Sequence, residues 1–326
     1  MRQACLLAPM KTNYLSFIQL RKTNFMLDYA SLFALAAVVR EGSFERAARA
    51  LHVTPSAVSQ RIRLLEERVG CALVVRGQPC QATETGRRLC QHADRVRLLE
   101  HELQGAVPTL EPEGHDGATR VTLPIAVNAD SLATWLAPVL TTFAAAAPVL
   151  MHVAVDDQDH TAERLRSGAV LAAVTGTARG PVGCNTRALG AMRYRAAASP
   201  AFVAQYFAQG VGANSLAHAP SLVFNTKDEL QARWVNRLCH RHVELPRHTL
   251  PSPQGFVAAS VAGMGWGLHP QELVAAHLAN GSLVELVPNS HLDVPLYWQQ
   301  ARAASSLLDG LTRAVVAAAS NALEQV

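Results

Sequence analysis

The stretch FERAARALHVTPSAVSQRIRLLEERVGCALVVR, residues 44–76, decides how the N-terminal part of this 326-residue chain folds. Its apolar residues recur at helical spacing in two runs, which a tight turn at residues 51–54 separates. Thr54 and Pro55 open the second run with a capping hydroxyl and a proline at the first helical position, where no N–H donor is needed. The stretch therefore predicts a helix-turn-helix.

The two faces of the second predicted helix differ in chemistry. The face predicted to be buried is apolar and consists of Val58, Ile62, Leu65 and Val69. The opposite face is short, polar and rich in hydrogen-bond donors, as the major groove of DNA requires of an inserted helix. We predict DNA contacts from Ser56, Ser59, Gln60 and Arg63, with Arg61 beside them. An ordinary solvated helix face fits the same pattern.

The flanking residues extend this unit on both sides. Upstream, apolar positions predict a helix that ends near Gly42, and Ser43 is a suitable N-cap for the helix after it. Downstream, the β-prone residues 73–75 are followed by a turn that begins at Arg76. That turn is typical of the wing of a winged helix, where Arg76 is predicted to contact phosphate.

A long helix is predicted after the wing, capped by Thr83 and running to about residue 103. Its apolar positions follow a heptad spacing, at Leu89, His92, Val96, Leu99 and Leu103. A stripe of this kind without a local partner indicates pairing with a second chain. Packing against its own domain fits the same spacing.

Together with TETGRRL at residues 83–89, the opening stretch resembles the N-terminal signature of LysR-type transcriptional regulators. AVNADSLATWL at 126–136, ERLRSG at 163–168 and LYW at 296–298 resemble the ArgP/LysG branch of that family, whose members respond to lysine and arginine. The resemblance extends from residue 26 to the C-terminus.

This resemblance implies a function and a set of partners. We expect a cytoplasmic homodimer or homotetramer that binds double-stranded DNA, responds to lysine or arginine as a small-molecule effector, and acts with RNA polymerase. Its expected target is a gene for a basic-amino-acid exporter, which it activates. An alternative is a protein of the same fold that binds the nucleoid or a replication origin. The C-terminal part alone would also fit a solute-binding protein that delivers its ligand to a transporter.

The remaining two-thirds of the chain predicts an α/β fold. Strands alternate with helices, starting with a strand at 121–127 and a helix at 132–147, which indicates βαβ units and a mostly parallel sheet. We predict two lobes with crossing connections, as in periplasmic binding proteins. The expected divisions are a disordered leader (1–25), a winged helix-turn-helix (26–84), a dimerisation helix (85–104), a Pro- and Gly-rich hinge (105–118) and the two-lobed effector domain (119–326).

Candidate effector residues follow from this architecture, because ligands in open α/β sheets lie at the carboxyl ends of the strands. Ser131 stands where the first strand gives way to a helix, and helix N-termini suit a carboxylate. Asp130 and Asp156 could hold the cationic groups of a basic amino acid. Helix capping by Asp130 and Ser131, and a solvated turn at Asp156, fit equally well. The full predicted set is Asn128, Asp130, Ser131, Asp156, Thr175, Asn225 and Ser252.

Composition excludes several other classes of protein. Hydrophobic residues make up 49% and charged residues 17% of the chain, which argues against disorder and leaves enough apolar material for a core. The sequence contains no apolar run long enough for a membrane span and no GxSxG, HExxH or P-loop motif. The six cysteines are not spaced like a zinc site. We therefore expect no enzyme, metal or cofactor.

Overall fold

The computed structural model describes residues 27–107, 121–147, 149–155, 158–302 and 306–325. The leader and most of the predicted hinge lie outside these ranges. The chain divides into two compact units, Met1–Arg95 and Val96–Val326. In the described residues, no helix combines the length and the apolar character that crossing a membrane requires.

The first unit contains three short helices and a small β-hairpin. In chain order its elements are α1 (Tyr29–Glu41), α2 (Phe44–Ala50), α3 (Pro55–Val69), β1 (Val74–Val75), β2 (Gln81–Ala82) and the start of α4 (Glu84–Ala106). Gly42 ends α1 in the left-handed conformation, and the side chains of Ser43 and Thr54 accept hydrogen bonds from the first turns of α2 and α3. These observations match the helix ends predicted from the sequence.

The three helices enclose one small core. The apolar stripe of α3 is buried at Val58, Ile62 and Leu65, each at most 2% exposed, while Val69 at its end is half-buried. These side chains pack with Leu35 and Val38 of α1. Because the core takes one side of α3, the opposite side faces solvent, as the sequence pattern predicts.

Helix α4 begins where predicted, since the Thr83 hydroxyl accepts a hydrogen bond from the Gly86 N–H at 3.1 Å. The heptad stripe divides in the structure. Leu89 packs against the core of the first unit, whereas Leu99 and Leu103 are 54% and 53% exposed. His92 is also exposed. Packing against its own domain therefore accounts for the start of the stripe but not for its end.

The second unit alternates strands and helices. Its elements are β3 (Val121–Val127), α5 (Ala129–Ser131, a π-helical Leu132–Leu136 and Ala137–Ala146), β4 (Val149–Val155), α6 (Gln158–Ser167), β5 (Ala172–Thr175), β6 (Cys184–Ala198), α7 (Pro200–Tyr206), α8 (Ala213–Leu216), β7 (Ser221–Val223), α9 (Leu230–Cys239), β8 (Arg247–Thr249), α10 (Pro253–Val261), β9 (Gly267–Pro270), α11 (Gln271–Ala279), β10 (Val284–Glu285), β11 (Leu292–Ala301) and α12 (Ser306–Ala322).

Two long antiparallel strands connect the two lobes. Strand β3 lies between β4 and β5 and is parallel to both. Strand β6 pairs with β11 along Cys184–Tyr194, and its last residues pair with β9 and β10. The chain thus crosses from the first lobe to the second in β6 and returns in β11. Asp130, just after β3, Tyr194 of β6 and Pro270 at the end of β9 meet at this crossing.

The expectation of a mostly parallel sheet is wrong. Only the β3 pairings are parallel among the described strands of the large sheet; β5–β11, β6–β11, β6–β9 and β6–β10 are antiparallel. The reason is that β6 and β11 pair with each other across about a hundred residues of sequence, a contact that local periodicity cannot predict. The two-lobed α/β architecture itself is confirmed.

Candidate functional site

The exposed side of α3 is a short polar surface. Ser56, Gln60 and Arg63 are exposed, and Ser59 and Arg61 beside them are half-buried. The Thr54 and Ser56 hydroxyl oxygens lie 3.0 Å apart at the start of the helix. The structure thus places all five predicted residues on or beside one face at the N-terminal end of α3. Their contacts with DNA remain a prediction.

Two arginines border this surface and differ in their partners. Arg63 donates to Glu67 at 2.9 Å, but both side chains are more than half exposed. Such an exposed ion pair contributes little, so little free energy holds Arg63 to Glu67. Arg76 begins the wing loop, is exposed and lies over the ring of Phe44 at 5.4 Å. The aromatic ring holds its guanidinium near the start of α2.

The wing is joined to α3 by a residue that the sequence analysis missed. Glu66, on α3, accepts hydrogen bonds from the backbone N–H groups of Leu73 and Val74 at 2.8 and 3.4 Å. Gly86 adds a second constraint, because a Cβ there would lie 2.0 Å from the Leu73 carbonyl oxygen. The first turn of α4 and the hairpin are therefore in close contact, which sets the wing beside α3.

The second unit carries a small cleft cavity of about 20 Å³ at the crossing of the lobes. The Tyr194 hydroxyl, on β6, donates to the Asp130 carboxylate at 2.7 Å. Asp228, which precedes α9, borders the same cavity and accepts from the N–H groups of Phe224 and Leu230. The other lining residues are Phe224, Leu230, Pro253, Phe256, Leu268, His269 and Pro270. Two acids, two phenylalanine rings and one imidazole ring thus line one small space.

Burial changes the charge state of the groups in this cleft. Burial and the nearby Asp228 raise the pKa of Asp130 to about 6, although the Tyr194 hydrogen bond favours its charged form. Burial lowers the pKa of His269 to about 4, so that its imidazole is neutral at pH 7. Burial and the neighbouring Asp130 raise the pKa of Tyr194 well above its usual value. Because a pKa of about 6 still leaves most of Asp130 ionised at pH 7, whereas His269 and Tyr194 are neutral, the cleft presents negative charge to a ligand.

Asp130 and Ser131 do not cap helix α5. The N-cap is Asn128, and its side chain makes no capping hydrogen bond. Asp130 lies one residue inside the helix, and its carboxylate is turned towards Tyr194 instead. The Asn128 side-chain oxygen and the hydroxyl of the fully buried Ser131 have no hydrogen-bond partner among the described residues. Buried polar atoms of this kind call for an explanation, and a bound ligand is one.

The other predicted effector residues have different positions. Thr175 is buried at the end of β5, and its hydroxyl accepts from the Thr177 N–H. The side-chain oxygens of Asn225 and Ser252 accept from the backbone at Lys227 and Gly255. Asn225 and Ser252 nevertheless directly adjoin Phe224 and Pro253, which line the cavity. Asp156 lies outside the described residues.

Sequence reasoning missed two residues at the centre of the cleft. Asp228 stands between a strand and a helix, a position that could have been recognised from the strand–loop–helix pattern. Tyr194 had no such signal, since it lies in the long strand β6 that the sequence analysis did not predict.

Within the described ranges, no group of three or more His, Cys, Asp or Glu side chains could hold a metal ion.

A winged helix-turn-helix followed by a two-lobed ligand-binding fold defines a ligand-responsive DNA-binding regulator. Residues 30–87 match the family described as "Bacterial regulatory helix-turn-helix protein, lysR family", and residues 116–320 match the "LysR substrate binding domain". The chain belongs to the LysR family of bacterial transcriptional regulators, in its ArgP/LysG branch.

Individual relatives place it within that branch. The chain is 47% identical to the HTH-type transcriptional regulator ArgP of Pseudomonas aeruginosa over 303 residues, which are 92% of this chain and 99% of the relative. It is also similar to the crystal structure of ArgP from Mycobacterium tuberculosis, with a TM-score of 0.75, 45% identity and coverage of 92% and 100%. Full-length LysG from Corynebacterium glutamicum with bound effector Arg gives a TM-score of 0.64 at 37% identity, covering 91% and 100%.

Proposed function

We propose that this regulator senses lysine or arginine in the cleft of its second unit. The observation that carries the proposal is the pair of acids, Asp130 and Asp228, which border one enclosed cavity. Neither carboxylate forms an ion pair with a described Lys or Arg side chain. The charge of Asp228 disfavours the ionisation of Asp130, and a bound cation relieves that repulsion. A neutral amino acid side chain would not.

The negatively charged α-carboxylate of the ligand has candidate partners at the end of β3. An α-carboxylate needs hydrogen-bond donors, and the unpartnered Ser131 hydroxyl and the first N–H groups of α5 are donors of this kind. Asn128 presents a side-chain amide beside them. We propose Asp156, Thr175, Asn225 and Ser252 as further effector contacts, with Ser252 acting through the start of α10.

Ligand entry requires movement of the lobes. A cavity of about 20 Å³ is little larger than the space for a single water molecule. A basic amino acid fits only if the lobes separate around the β6 and β11 crossing strands. In this proposal the effector stabilises a cleft of different width, which shifts the population between two states of the regulator. The arginine-bound relative from C. glutamicum supports the choice of ligand.

On DNA, we propose that Ser56, Ser59 and Gln60 read base edges, while Arg61, Arg63 and Arg76 contact phosphates. The order of polar side chains along α3 supports this division, because short residues come first and arginines follow. Residues 26–84 form the DNA-reading domain in this scheme, 105–118 the hinge and 119–326 the effector domain.

Helix α4 supplies the proposed dimer contact, with 85–104 as its core. Leu99 and Leu103 are more than half exposed, and large apolar side chains one helical turn apart on a solvent-facing side favour pairing with a second copy. A homodimer presents two α3 helices to an inverted repeat. Assembly into a homotetramer, cytoplasmic action with RNA polymerase and activation of a basic-amino-acid exporter gene complete the proposal.

Isothermal titration calorimetry with arginine, lysine and citrulline, an arginine analogue whose side chain is uncharged, tests the effector assignment. We expect binding of the two cations and weak or no binding of citrulline. Asp228→Asn and Ser131→Ala should each weaken arginine binding by roughly ten- to a hundred-fold, the cost of a lost charge-assisted contact. Glu244→Gln, which removes an exposed acid of the same unit, is the matched control. Unchanged affinity in both cleft variants would place the effector elsewhere.

A further inference from the structure

Among the described residues, the groups that act directly on Asp130 carry no positive charge. Tyr194 on β6 donates a hydrogen bond to it, and Asp228 before α9 repels its charged form. His269 on β9 lines the same cavity, neutral at pH 7, with its Nε2 3.1 Å from the Ser260 hydroxyl. The charge of Arg233, on α9, acts on the Tyr194 hydroxyl. Near and below pH 6, a proton is therefore the available counterion for Asp130 when no ligand is bound.

We propose that a cationic amino acid displaces a proton from Asp130 when it binds in the cleft; this inference rests on the proposed function. The carboxylic acid O–H gives its proton to solvent, and the ammonium or guanidinium group of the ligand takes its place beside the carboxylate. Proton and effector thus compete for one buried carboxyl group. The regulator responds to the basic amino acid and to acidity through the same residue.

The coupling between protonation of Asp130 and effector affinity has a size that follows from the charge state of Asp130 in the ligand-free cleft. With the pKa of Asp130 raised to about 6 by burial and by Asp228, roughly half of the free protein carries the proton at pH 6. A bound cation favours the charged carboxylate and lowers that pKa. Arginine should therefore bind about tenfold more weakly at pH 5 than at pH 8, since about nine in ten free molecules are protonated at pH 5.

Tyr194 adjusts the pH at which this competition occurs. Its hydroxyl donates to the charged form of Asp130, and removing that hydrogen bond raises the pKa of the carboxyl group further. Tyr194→Phe should therefore move the midpoint of the affinity–pH curve to higher pH. A residue with only a packing role would leave that midpoint in place.

The test is calorimetry of the full chain with arginine, from pH 5 to pH 8, in two buffers of different ionisation enthalpy at each pH. We expect net proton release that is at most about half a proton at pH 6 and rises as the pH falls towards 5, with affinity that declines below pH 6. Tyr194→Phe should shift both curves upward in pH, and Asp130→Asn should abolish the release.

The possible outcomes separate this proposal from the effector assignment. Arginine binding with no proton release, and with equal affinity at pH 5 and pH 8, overturns the linkage and leaves arginine as the effector. Proton release of the same size in Asp130→Asn, or an unshifted midpoint in Tyr194→Phe, assigns the proton to another group and also overturns it. No arginine binding at any pH overturns both proposals.

Discussion

The buried acid in the cleft should make the protein less stable than its uncharged variant. The pKa of Asp130 is about 6 in the folded chain and 3.8 in the unfolded one. Between these values the folded state binds more protons, so the free energy of unfolding falls as pH rises from about 4 to about 6. The difference between the two pKa values corresponds to up to about 3 kcal/mol of stability. That stability is present below about pH 4 and is lost above pH 6.

Asp130→Asn removes this cost, because asparagine does not ionise and its amide oxygen still accepts from Tyr194. We expect the variant to be more stable than the wild type by up to about 3 kcal/mol at pH 8, with the advantage vanishing near pH 4. Urea unfolding of the effector-free protein, followed by tryptophan fluorescence, measures it. All four tryptophans, Trp135, Trp234, Trp266 and Trp298, lie in the second unit and report its unfolding.

Asp293→Asn is a control of opposite sign. The hydrogen-bonded ion pair with Arg193, two contacts of 2.9 Å, lowers the pKa of Asp293, so its stabilisation is present above pH 3.8 and is lost as pH falls through the lowered value. That variant should be less stable than the wild type at pH 7. If Asp130→Asn is destabilised at pH 8, or differs from the wild type by the same amount at every pH, the buried-charge account of the cleft is refuted.

Four further perturbations test the DNA-reading unit and the long helix. Gln60→Ala should cost roughly 1–3 kcal/mol on the specific operator and little on random DNA, and equal losses on both would remove Gln60 from base reading. Arg76→Ala should reduce the slope of log affinity against log salt by about one, as measured by fluorescence anisotropy; an unchanged slope would give Arg76 a structural role. Leu99→Glu with Leu103→Glu should shift the protein towards monomer in analytical ultracentrifugation, whereas an intact dimer would place the interface elsewhere. Gly86→Ala should lower the melting temperature and cost about 1–3 kcal/mol through its clash with the hairpin; a melting curve like that of the wild type would contradict the close contact.

Local features of the first unit could be read from the sequence alone. Ser43, Thr54 and Gly42 mark helix ends by short-range hydrogen bonding and backbone conformation, which depend only on residues a few positions away. The spacing of Val58, Ile62 and Leu65 determines which side of α3 is buried, and therefore which side faces solvent. The polar end of β3 was predictable in the same way, because Asn128 and Asp130 directly follow an alternating strand.

The tertiary structure alone decided how the cleft is assembled. Asp130 meets Tyr194 across 64 residues and shares a cavity with Asp228, and these contacts depend on β6 pairing with β11 and β9 rather than on any local pattern. The same burial turns Asp130 from a possible helix cap into an acid whose charge is disfavoured. Short-range hydrogen bonds and periodicity are encoded within a few residues, whereas desolvation and charge–charge repulsion exist only once distant segments have packed together.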